Sequence, residues 1–521
     1  MNDATRARSE AISDMLKHLE DLRAEICAEA AETTSRWGSA LKRPEFRDRM
    51  ENLALYLALR KRDLTVMQDG LSRLGLSSLG RAEGHVLQSL DAVLAALAAL
   101  IGERSSTPGG TDTAHFATTA QLERDLILGD EPADRATRIL VTLPSEAARE
   151  PELISGFIDA GADCLRINCA HDGPEAWCAM AMHARDLARH RGRDVRILMD
   201  LAGPKVRTKA IRMPASYLER ERKARLKKLK AAGLDPLALG PKLKVGERLR
   251  LVRKLPSDSQ GVEVTLSHVE LLDALRPGVR VWFDDGKLSA MVLEVDAEGA
   301  NLEIDQAADK GSRLAPEKGV NLPGIALDIP ALTEDDFRAL DTVSEIADMV
   351  GFSFVQTPRD IRDLQEALAA RRAASLPPMP IVLKIETDLA VSNLPSLIVQ
   401  AGGAGPVAVM IARGDLAVEI GLSRLAEIQE EILWVCEAAG VPVIWATQVL
   451  ETLAKEGLAT RAEATDAAMG QRAECVMLNK GPHATEAVAF LAKVLRRMDR
   501  HYSKKSPRLG PLRAWHGPQT L

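Results

Sequence analysis

The chain has 521 residues, of which 46% are hydrophobic and 27% are charged, and its formal net charge is −6. This is the mix of an ordinary globular protein, and it excludes wholesale disorder, a collagen-like repeat and a disulfide-dense scaffold. The balanced charge gives no global attraction to nucleic acid, and six cysteines in a chain of this length favour a reduced, cytoplasmic location. The longest apolar run, residues 92–101, is about half of the roughly 20 residues that a membrane helix needs. We therefore expect neither a nucleic-acid nor a membrane partner.

The N-terminal part of the chain shows helical patterning. Apolar side chains recur three and four positions apart, as in Leu19, Leu22 and Ile26, and no β-rich run interrupts them. The Ser-, Pro- and Gly-containing stretch at 105–111 is typical of a linker. We interpret residues 1–135 as a helical extension with its linker, packed on the main domain or on another subunit.

From about residue 136 the pattern changes to short apolar runs that alternate with helical stretches. Eight such runs occur: Arg138–Leu143, Cys164–Ala170, Arg196–Leu201, Met349–Val355, Pro380–Glu386, Val407–Ile411, Val441–Ala446 and Glu474–Asn479. Near-continuous apolar strands that alternate with helices indicate a parallel sheet covered on both faces. Eight such units favour an α/β fold with a closed (β/α)8 TIM barrel, and the pattern alone leaves an open doubly wound sheet as the alternative.

The connection between the third and fourth runs, residues 202–348, is far longer than a barrel crossover needs. Five strand-like runs lie within it: Leu249–Val252, Glu263–Leu266, Val279–Phe283, Met291–Val295 and Ala300–Ile304. We interpret them as a small inserted β-domain, which also contains a basic run at 217–230 typical of a solvated helix face. An insertion after a barrel strand emerges at the C-terminal face, where it can act as a lid over the active site. The predicted division is barrel 136–208, inserted domain 209–319, barrel 320–503 and tail 504–521.

Polar residues stand where six of the eight predicted strands end: Arg166, Asn168, Asp200, Lys205, Lys384, Glu386, Arg413, Asp415, Thr447, Gln448, Asn479 and Lys480. Because the C-terminal ends of barrel strands form one rim, we expect these side chains to share a site. Lys384 and Glu386 are two apart on a strand and so point the same way, and Glu386 with Asp415 could share a hard cation such as Mg²⁺. Free backbone N–H groups at Ala412–Asp415, where a helix is expected to begin, could hold a carboxylate. This combination of cations, carboxylates and free N–H groups suits a small anionic substrate that is phosphorylated or forms an enolate.

Eight motifs resemble those of one known family, the pyruvate kinases, and they occur in family order over residues 136–480. They are Arg166-x-Asn168-x-x-His171, Met199-Asp200-x-x-Gly203-Pro204-Lys205-x-Arg207-Thr208, Asp284-Asp285-Gly286, Lys318-Gly319-Val320-Asn321-Leu322-Pro323-Gly324, Lys384-Ile385-Glu386, Ala412-Arg413-Gly414-Asp415-Leu416, Ala446-Thr447-Gln448 and Thr460-Arg461-Ala462-Glu463. The resemblance implies a barrel with an inserted lid and the glycolytic transfer of a phosphoryl group from phosphoenolpyruvate to ADP, giving pyruvate and ATP. It also implies Mg²⁺ as cofactor, with Mn²⁺ as an alternative ion, and a homo-oligomer.

The resemblance implies a role for individual residues. Glu386 and Asp415 would hold the metal, and Lys384 and Arg166 would neutralise the phosphoryl group. Substrate carboxylate would lie against the backbone of Ala412, Gly414 and Asp415, with Thr447 near the carbon that is protonated. The residues implied to face the nucleotide are His171, Arg207 and Lys318.

Residue Lys205 bears on the monovalent cation that many family members require. Of the positions that hold K⁺ in those members, Asn168 and Asp200 keep oxygen ligands, whereas Ala170 and Leu201 do not. Lys205 stands where K⁺-requiring members have Glu, and its ammonium can supply the same single positive charge. The chain resembles the family's Lys-bearing subgroup, and we expect activity without K⁺.

Three departures from the family pattern limit what can be carried over. The chain ends at residue 521, soon after the eighth predicted strand, so we expect no counterpart of the family's C-terminal domain with its sugar-phosphate effector site. Asn479–His483 replaces the usual Ser-Gly-Glu-Thr-Ala, and the helical extension is not part of the family plan. Two alternatives stay open: a Mg²⁺-dependent lyase or aldolase of the phosphoenolpyruvate/pyruvate barrel group, and a regulatory pseudoenzyme organised by the N-terminal helices. Lys384 and the lid motifs favour phosphoryl transfer over both.

Overall fold

The computed structural model describes residues 3–103, 113–214, 240–325 and 329–499. The linker predicted at 105–111, the basic run at 217–230 and the tail at 504–521 lie outside the described residues. No helix in the described ranges combines the length and the apolar character needed to cross a membrane.

The helical N-terminal extension is confirmed. Its helices are α1 (Asp3–Trp37), α2 (Arg47–Arg60), α3 (Thr65–Arg73), α4 (Val86–Leu100) and α5 (Thr113–Leu128). Side chains three and four apart lie on one face of a helix, which is why Leu19, Leu22 and Ile26 of α1 are all buried. They belong to one apolar cluster that continues into the barrel and the helices around it. The extension and the barrel therefore share a single core.

The strands follow in chain order: β1 (Arg138–Thr142), β2 (Cys164–Asn168), β3 (Arg196–Asp200), β4 (Thr208–Arg212), β5 (Lys242–Leu243), β6 (Arg248–Val252), β7 (Val262–Leu266), β8 (Arg280–Phe283), β9 (Leu288–Asp296), β10 (Gly299–Gln306), β11 (Ser312–Arg313), β12 (Val320–Asn321), β13 (Met349–Phe352), β14 (Ile381–Ile385), β15 (Val407–Ala412), β16 (Val443–Ala446) and β17 (Cys475–Leu478). The remaining helices are α6 (Pro151–Ala160), α7 (Pro174–His190), α8 (Glu334–Ile346), α9 (Pro358–Ala369), α10 (Asp388–Gly402), α11 (Arg413–Ile420), α12 (Leu422–Ala438), α13 (Glu451–Glu456), α14 (Arg461–Gly470) and α15 (Ala484–Met498).

Eight strands close into a parallel barrel in the order β1-β17-β16-β15-β14-β13-β3-β2. This confirms the TIM barrel and excludes the open sheet. The register pairs Asn168 of β2 with Asp200 of β3, so both residues lie at the same C-terminal rim. Buried apolar side chains such as Leu140, Val382 and Ile444 fill the interior.

Helix α5 closes the opposite end of the barrel. Ile127 and Leu128 belong to the same apolar cluster as the barrel interior. The carbonyl of Leu128 accepts a hydrogen bond from the Cys164 thiol, 3.3 Å away, and Gly129 O accepts one from Arg138 Nη2 at 3.0 Å. Cys164 and Arg138 each begin a strand, so α5 covers the N-terminal mouth.

The inserted region forms its own sheet in the order β12-β8-β9-β10-β6-β7-β4, with a two-stranded β5–β11 ribbon beside it. A separate apolar cluster that includes Leu251, Val281 and Leu302 packs within it. The five strands expected from the sequence are present. Four were missed, because β5, β11 and β12 are two residues long, too short for an alternating pattern, and β4 is largely polar.

Candidate active site

A cavity of about 180 Å³ opens at the C-terminal rim of the barrel. It is lined by nine of the residues predicted from the sequence: Arg166, Asn168, Lys205, Arg207, Lys384, Glu386, Ala412, Asp415 and Thr447. They come from strands β2, β14 and β15 and from the segments that follow β3, β14, β15 and β16. Closure of a parallel barrel brings these strand ends together, although the residues are far apart in the chain.

Lys384 is the cation at the centre of the site. Its residue is 8% exposed, and its Nζ lies 2.7 Å from Ser353 Oγ, 3.2 Å from Asp200 Oδ2 and 3.2 Å from Glu386 Oε1. Burial alone would lower the pKa of the Lys384 ammonium, but Asp200 and Glu386 outweigh it, and the pKa is raised. The neighbouring carboxylates therefore favour the charged form of Lys384.

Arg166 and Asp200 form the second ion pair. Arg166 Nε donates to Asp200 Oδ2 at 2.8 Å, Nη2 contacts the same oxygen, and Nη1 donates to Thr142 Oγ1 at 3.1 Å. Asp200 is fully buried, which by itself would raise its pKa, but Lys384 and Arg166 hold the pKa below the usual value. Asp200 thus fixes both predicted phosphoryl-binding cations on one side of the cavity.

Glu386 and Asp415 bring two carboxylates to the cavity. Glu386 is 4% exposed, and its Oε2 accepts the Phe354 N–H at 2.7 Å. Burial raises the pKa of Glu386, Lys384 opposes the rise, and the negative charge of Asp415 adds to it. Lys384 lies beside Glu386 and Lys205 beside Asp415, and this donor set of two hard-oxygen carboxylates suits Mg²⁺. Within the described ranges there is no group of three or more His, Cys, Asp or Glu residues that could hold a metal ion.

Thr447 follows strand β16 in a left-handed turn. The φ angle of Thr447 is 63° and that of Gln448 is 60°. Residues other than glycine seldom adopt this left-handed backbone conformation. The turn places Thr447 Oγ1 3.1 Å from the Gly414 N–H at the start of α11. Arg413, which the sequence analysis quoted without a role, stabilises the turn, since its side chain donates to Ala446 O at 2.9 Å and to Thr447 O at 2.7 Å.

The Lys205 ammonium lies against carboxylates of both the barrel and the lid. Its Nζ is 2.9 Å from Asp415 Oδ1, 3.1 Å from Asp415 Oδ2 and 3.5 Å from Asp285 Oδ1. The two predicted cation-site partners are engaged elsewhere: Asn168 Oδ1 accepts the Ala170 N–H at 3.1 Å, and Asp200 pairs with Arg166 and Lys384. Burial would lower the pKa of Lys205, but Asp415 raises it, so the residue is a cation.

The three predicted nucleotide residues are placed differently from one another. His171 lines a neighbouring cavity of about 310 Å³ that shares Arg166 and Asn168 with the first. Burial and then Lys480 lower the pKa of His171, so the imidazole is neutral near pH 7. Arg207 lines the first cavity and donates to Glu317 O at 3.0 Å. Lys318 lines neither cavity and pairs with Asp284 of the lid at 3.0 Å.

Ser353, which follows strand β13, is a site residue that was not predicted from the sequence. Ser353 Oγ accepts from Lys384 Nζ at 2.7 Å and donates to Leu201 O at 2.6 Å, so it orients the central lysine. The available signal was its position, because it is the first residue after a buried strand, where barrel sites are built. No polar site residue was predicted at the end of this strand.

Comparisons with known proteins agree with this geometry. A sequence model of the pyruvate kinase barrel domain matches residues 236–488. The pyruvate kinase of Methylorubrum extorquens is 32% identical over 373 residues, which cover 70% of this chain and 69% of that protein. Pyruvate kinase 2 of Synechocystis is 30% identical over 376 residues, 71% of this chain and 57% of that protein. A crystal structure of a pyruvate kinase from Cryptosporidium parvum superposes with a TM-score of 0.60 at 25% identity and covers 73% of each chain. The chain belongs to the pyruvate kinase family of phosphotransferases.

Proposed function

We propose that the protein transfers the phosphoryl group of phosphoenolpyruvate to ADP, giving pyruvate and ATP. The observation that carries this proposal is the convergence of Arg166, Lys384, Glu386 and Asp415 on one cavity at the barrel rim. Phosphoryl transfer depends on positioning and on charge neutralisation, and these residues supply cations for the moving group and carboxylates for a metal.

In the proposed reaction, the bond from phosphorus to the enol oxygen breaks and a bond to a β-phosphate oxygen of ADP forms. Arg166 and Lys384 neutralise the phosphoryl oxygens. The backbone N–H groups of Ala412, Gly414 and Asp415, at the start of α11, hold the carboxylate. The enolate then takes a proton at its methylene carbon beside Thr447, which gives pyruvate.

Glu386 and Asp415 are the proposed ligands of Mg²⁺, with Mn²⁺ as an alternative ion. When bound there, a divalent cation supplies positive charge beside the substrate carboxylate and the enolate oxygen. The adjoining cavity with His171 is proposed to take the nucleotide, together with Arg207 and Lys318. The family motifs support each of these roles, and a place in a cavity wall supports all of them except that of Lys318, which pairs with Asp284 of the lid.

We also propose that no K⁺ is needed. Support comes from the cationic Lys205 in the cavity wall, beside Ala170 and Leu201, which offer no side-chain oxygen ligands. Asn168 and Asp200 are the other members of this proposed equivalent of the monovalent cation site, and they contact Ala170, Arg166 and Lys384 instead of Lys205. The division into barrel, lid and tail, a homo-oligomeric state and a cytoplasmic location remain predictions.

The test is pyruvate formation from phosphoenolpyruvate and ADP with Mg²⁺, in buffers that contain either K⁺ or tetramethylammonium at equal ionic strength. We expect equal turnover in both. Turnover only with K⁺ would keep the kinase and contradict the role of Lys205. Absence of turnover in both buffers would contradict the kinase, and assays of pyruvate-enolate chemistry would then test the lyase alternative.

A further inference from the structure

Lys205 joins the barrel to the lid through two carboxylates. Its ammonium lies 2.9 Å and 3.1 Å from the two oxygens of Asp415 and 3.5 Å from Asp285 Oδ1. Asp415 is the third residue after strand β15 ends and belongs to the barrel, whereas Asp285 lies in the turn between lid strands β8 and β9. One side chain thus connects a proposed metal ligand with the lid.

The route of the Lys205 side chain is closely fitted. A Cβ added to Gly319, beside lid strand β12, would lie 2.9 Å from Lys205 Cε and 3.6 Å from Asp285 Oδ1. Carbon atoms do not approach that closely, so a side chain at position 319 would make the flexible end of Lys205 shift from this path. The side chain of Lys205 is 22% exposed and that of Asp415 is 14% exposed, so water screens the pair only in part.

The Lys205 ammonium neutralises the negative charge of Asp415, which a divalent cation would need for binding. A metal on Asp415 and Glu386 would lie next to the Lys205 ammonium, and like charges at that distance repel each other strongly in a partly buried site. We propose that Lys205 is the counter-ion of Asp415 in the metal-free enzyme, and that a divalent cation displaces its ammonium and thereby releases Asp285 of the lid. This inference rests on the metal site proposed above.

The first test measures Mn²⁺ binding to the free enzyme by electron paramagnetic resonance, without substrate. Lys205→Met removes the competing charge at similar length, so its dissociation constant for Mn²⁺ should be about tenfold lower than that of the wild type. Lys205→Gln serves as a second neutral variant in case the first does not fold. Lys209→Met is the matched control, because Lys209 is an exposed lid lysine that pairs with Glu317 at 3.1 Å, and we expect it to bind Mn²⁺ as the wild type does.

The second test measures hydrogen exchange in the lid turn, where the Asp284 N–H donates to Gly319 O at 2.9 Å. Mn²⁺ should increase exchange of this amide in the wild type. In Lys205→Met the exchange should be fast already and should not respond to Mn²⁺.

The outcomes separate this inference from the proposed function. Equal Mn²⁺ affinities in the wild type and both neutral variants would overturn the displacement of Lys205 and leave the metal site in place. An unchanged exchange pattern in Lys205→Met would overturn the link to the lid. Failure of every protein to bind Mn²⁺ would overturn both the metal site and this inference.

Discussion

At the scale of single residues, the buried charges of the site depend on one another. Lys384 stays protonated in a buried position because Asp200 and Glu386 surround its ammonium. Asp200 in turn stays ionised because Lys384 and Arg166 offset the cost of its burial. Removal of one partner leaves an uncompensated charge, so substitutions here affect catalysis and local electrostatics together.

Lys384→Met should reduce the kcat for phosphoryl transfer by about a thousandfold, because it removes a preorganised cation from the transferring group. Exchange of the methyl protons of pyruvate with deuterium, which needs only the enolate, should be largely retained. Steady-state kinetics and nuclear magnetic resonance measure the two activities, with the exposed Lys493→Met as control. A comparable loss of both activities would contradict the role proposed for Lys384.

The raised pKa of Glu419 predicts that the free energy of unfolding depends on pH. Glu419 accepts a hydrogen bond from Asn321 of the lid at 3.2 Å, and burial, with Asp415 and Asp388 nearby, raises its pKa to about 7. A carboxyl with a raised pKa contributes stability that is complete below its unfolded pKa, near 4.5, and is lost as the pH rises through about 7. Glu419→Gln keeps the shape of the side chain but does not ionise.

Relative to Glu419→Gln, the wild type should therefore lose about 1–3 kcal/mol of unfolding free energy between pH 5 and pH 8. Urea unfolding at several pH values measures the difference, and the exposed Glu456→Gln serves as control. A difference between the two proteins that does not change with pH would show that Glu419 titrates outside this window.

At the scale of the elements, the extension is fixed to the barrel by a buried ion pair between two of its helices. Arg49 of α2 is 1% exposed and donates to Glu123 of α5 at 2.9 Å, to Ala439 O at 2.9 Å and to Gly440 O at 2.8 Å. Glu123 also accepts the N–H of Val407, the first residue of β15, at 3.2 Å. Helix and strand ends from three parts of the chain therefore meet at this pair.

Arg49→Met should destabilise the protein by about 3–5 kcal/mol at pH 7, because it leaves the Glu123 carboxylate buried with only Arg43 as an ionic partner. In the wild type, burial would raise the pKa of Glu123, but Arg49 and Arg43 outweigh it and the pKa is lowered. The stability that the ionised Glu123 contributes is present above its pKa in the unfolded chain, near 4.5. It is lost as the pH falls through the lower pKa of Glu123 in the folded protein.

The cost of Arg49→Met should consequently shrink as the pH approaches 4, where Glu123 of the variant is neutral. Urea unfolding at pH 4 and pH 7 measures the change, and the neighbouring exposed Arg47→Met provides the control. A cost of the same size at both pH values would indicate that lost packing, and not charge, is the cause.

Local sequence also explains why several helices begin where they do. Thr460 and Glu463, quoted among the family motifs, form a capping box: the Thr460 hydroxyl accepts the Glu463 N–H, and the Glu463 carboxylate accepts the Thr460 N–H. The same box occurs at Thr333 with Asp336 and at Thr357 with Asp360. The motif at 460–463 thus starts helix α14, and the Glu463 carboxylate also accepts the Thr452 N–H of helix α13.

At the scale of the whole molecule, the extension and the barrel form one folding unit. A continuous apolar cluster joins them, and Ile127 and Leu128 close the barrel interior. Deletion of residues 1–130 would expose that core, so we expect the shortened chain to be aggregated or unfolded. Gel filtration and circular dichroism test this expectation. A folded barrel with unchanged oligomeric state and kinetics would contradict it, and would also exclude a role of the extension in assembly or control.

A smaller change tests the same point without a deletion. Leu128→Ala should cost about 2–5 kcal/mol of unfolding free energy, because it leaves a cavity at the barrel mouth. Leu126→Ala, two residues earlier on the same helix, removes a side chain from a residue that is 52% exposed, and its cost should stay within about 0.5 kcal/mol. Equal costs would show that α5 does not close the barrel in solution.

The barrel, the inserted sheet and most residues of the rim could be predicted from the pattern of the amino-acid sequence. Buried strands have a local apolar pattern, and closure of any parallel barrel places residues such as Arg166, Lys384 and Asp415 at one end. The contacts of the two lysines became visible in the folded chain alone: Lys205 pairs with Asp415 and Asp285, and Lys384 donates a hydrogen bond to Ser353. The tertiary structure also shows that α5 fills the barrel mouth and that Arg49 meets Glu123. These contacts join segments far apart in the chain, and their geometry depends on how complete elements pack, which no local spacing of residues encodes.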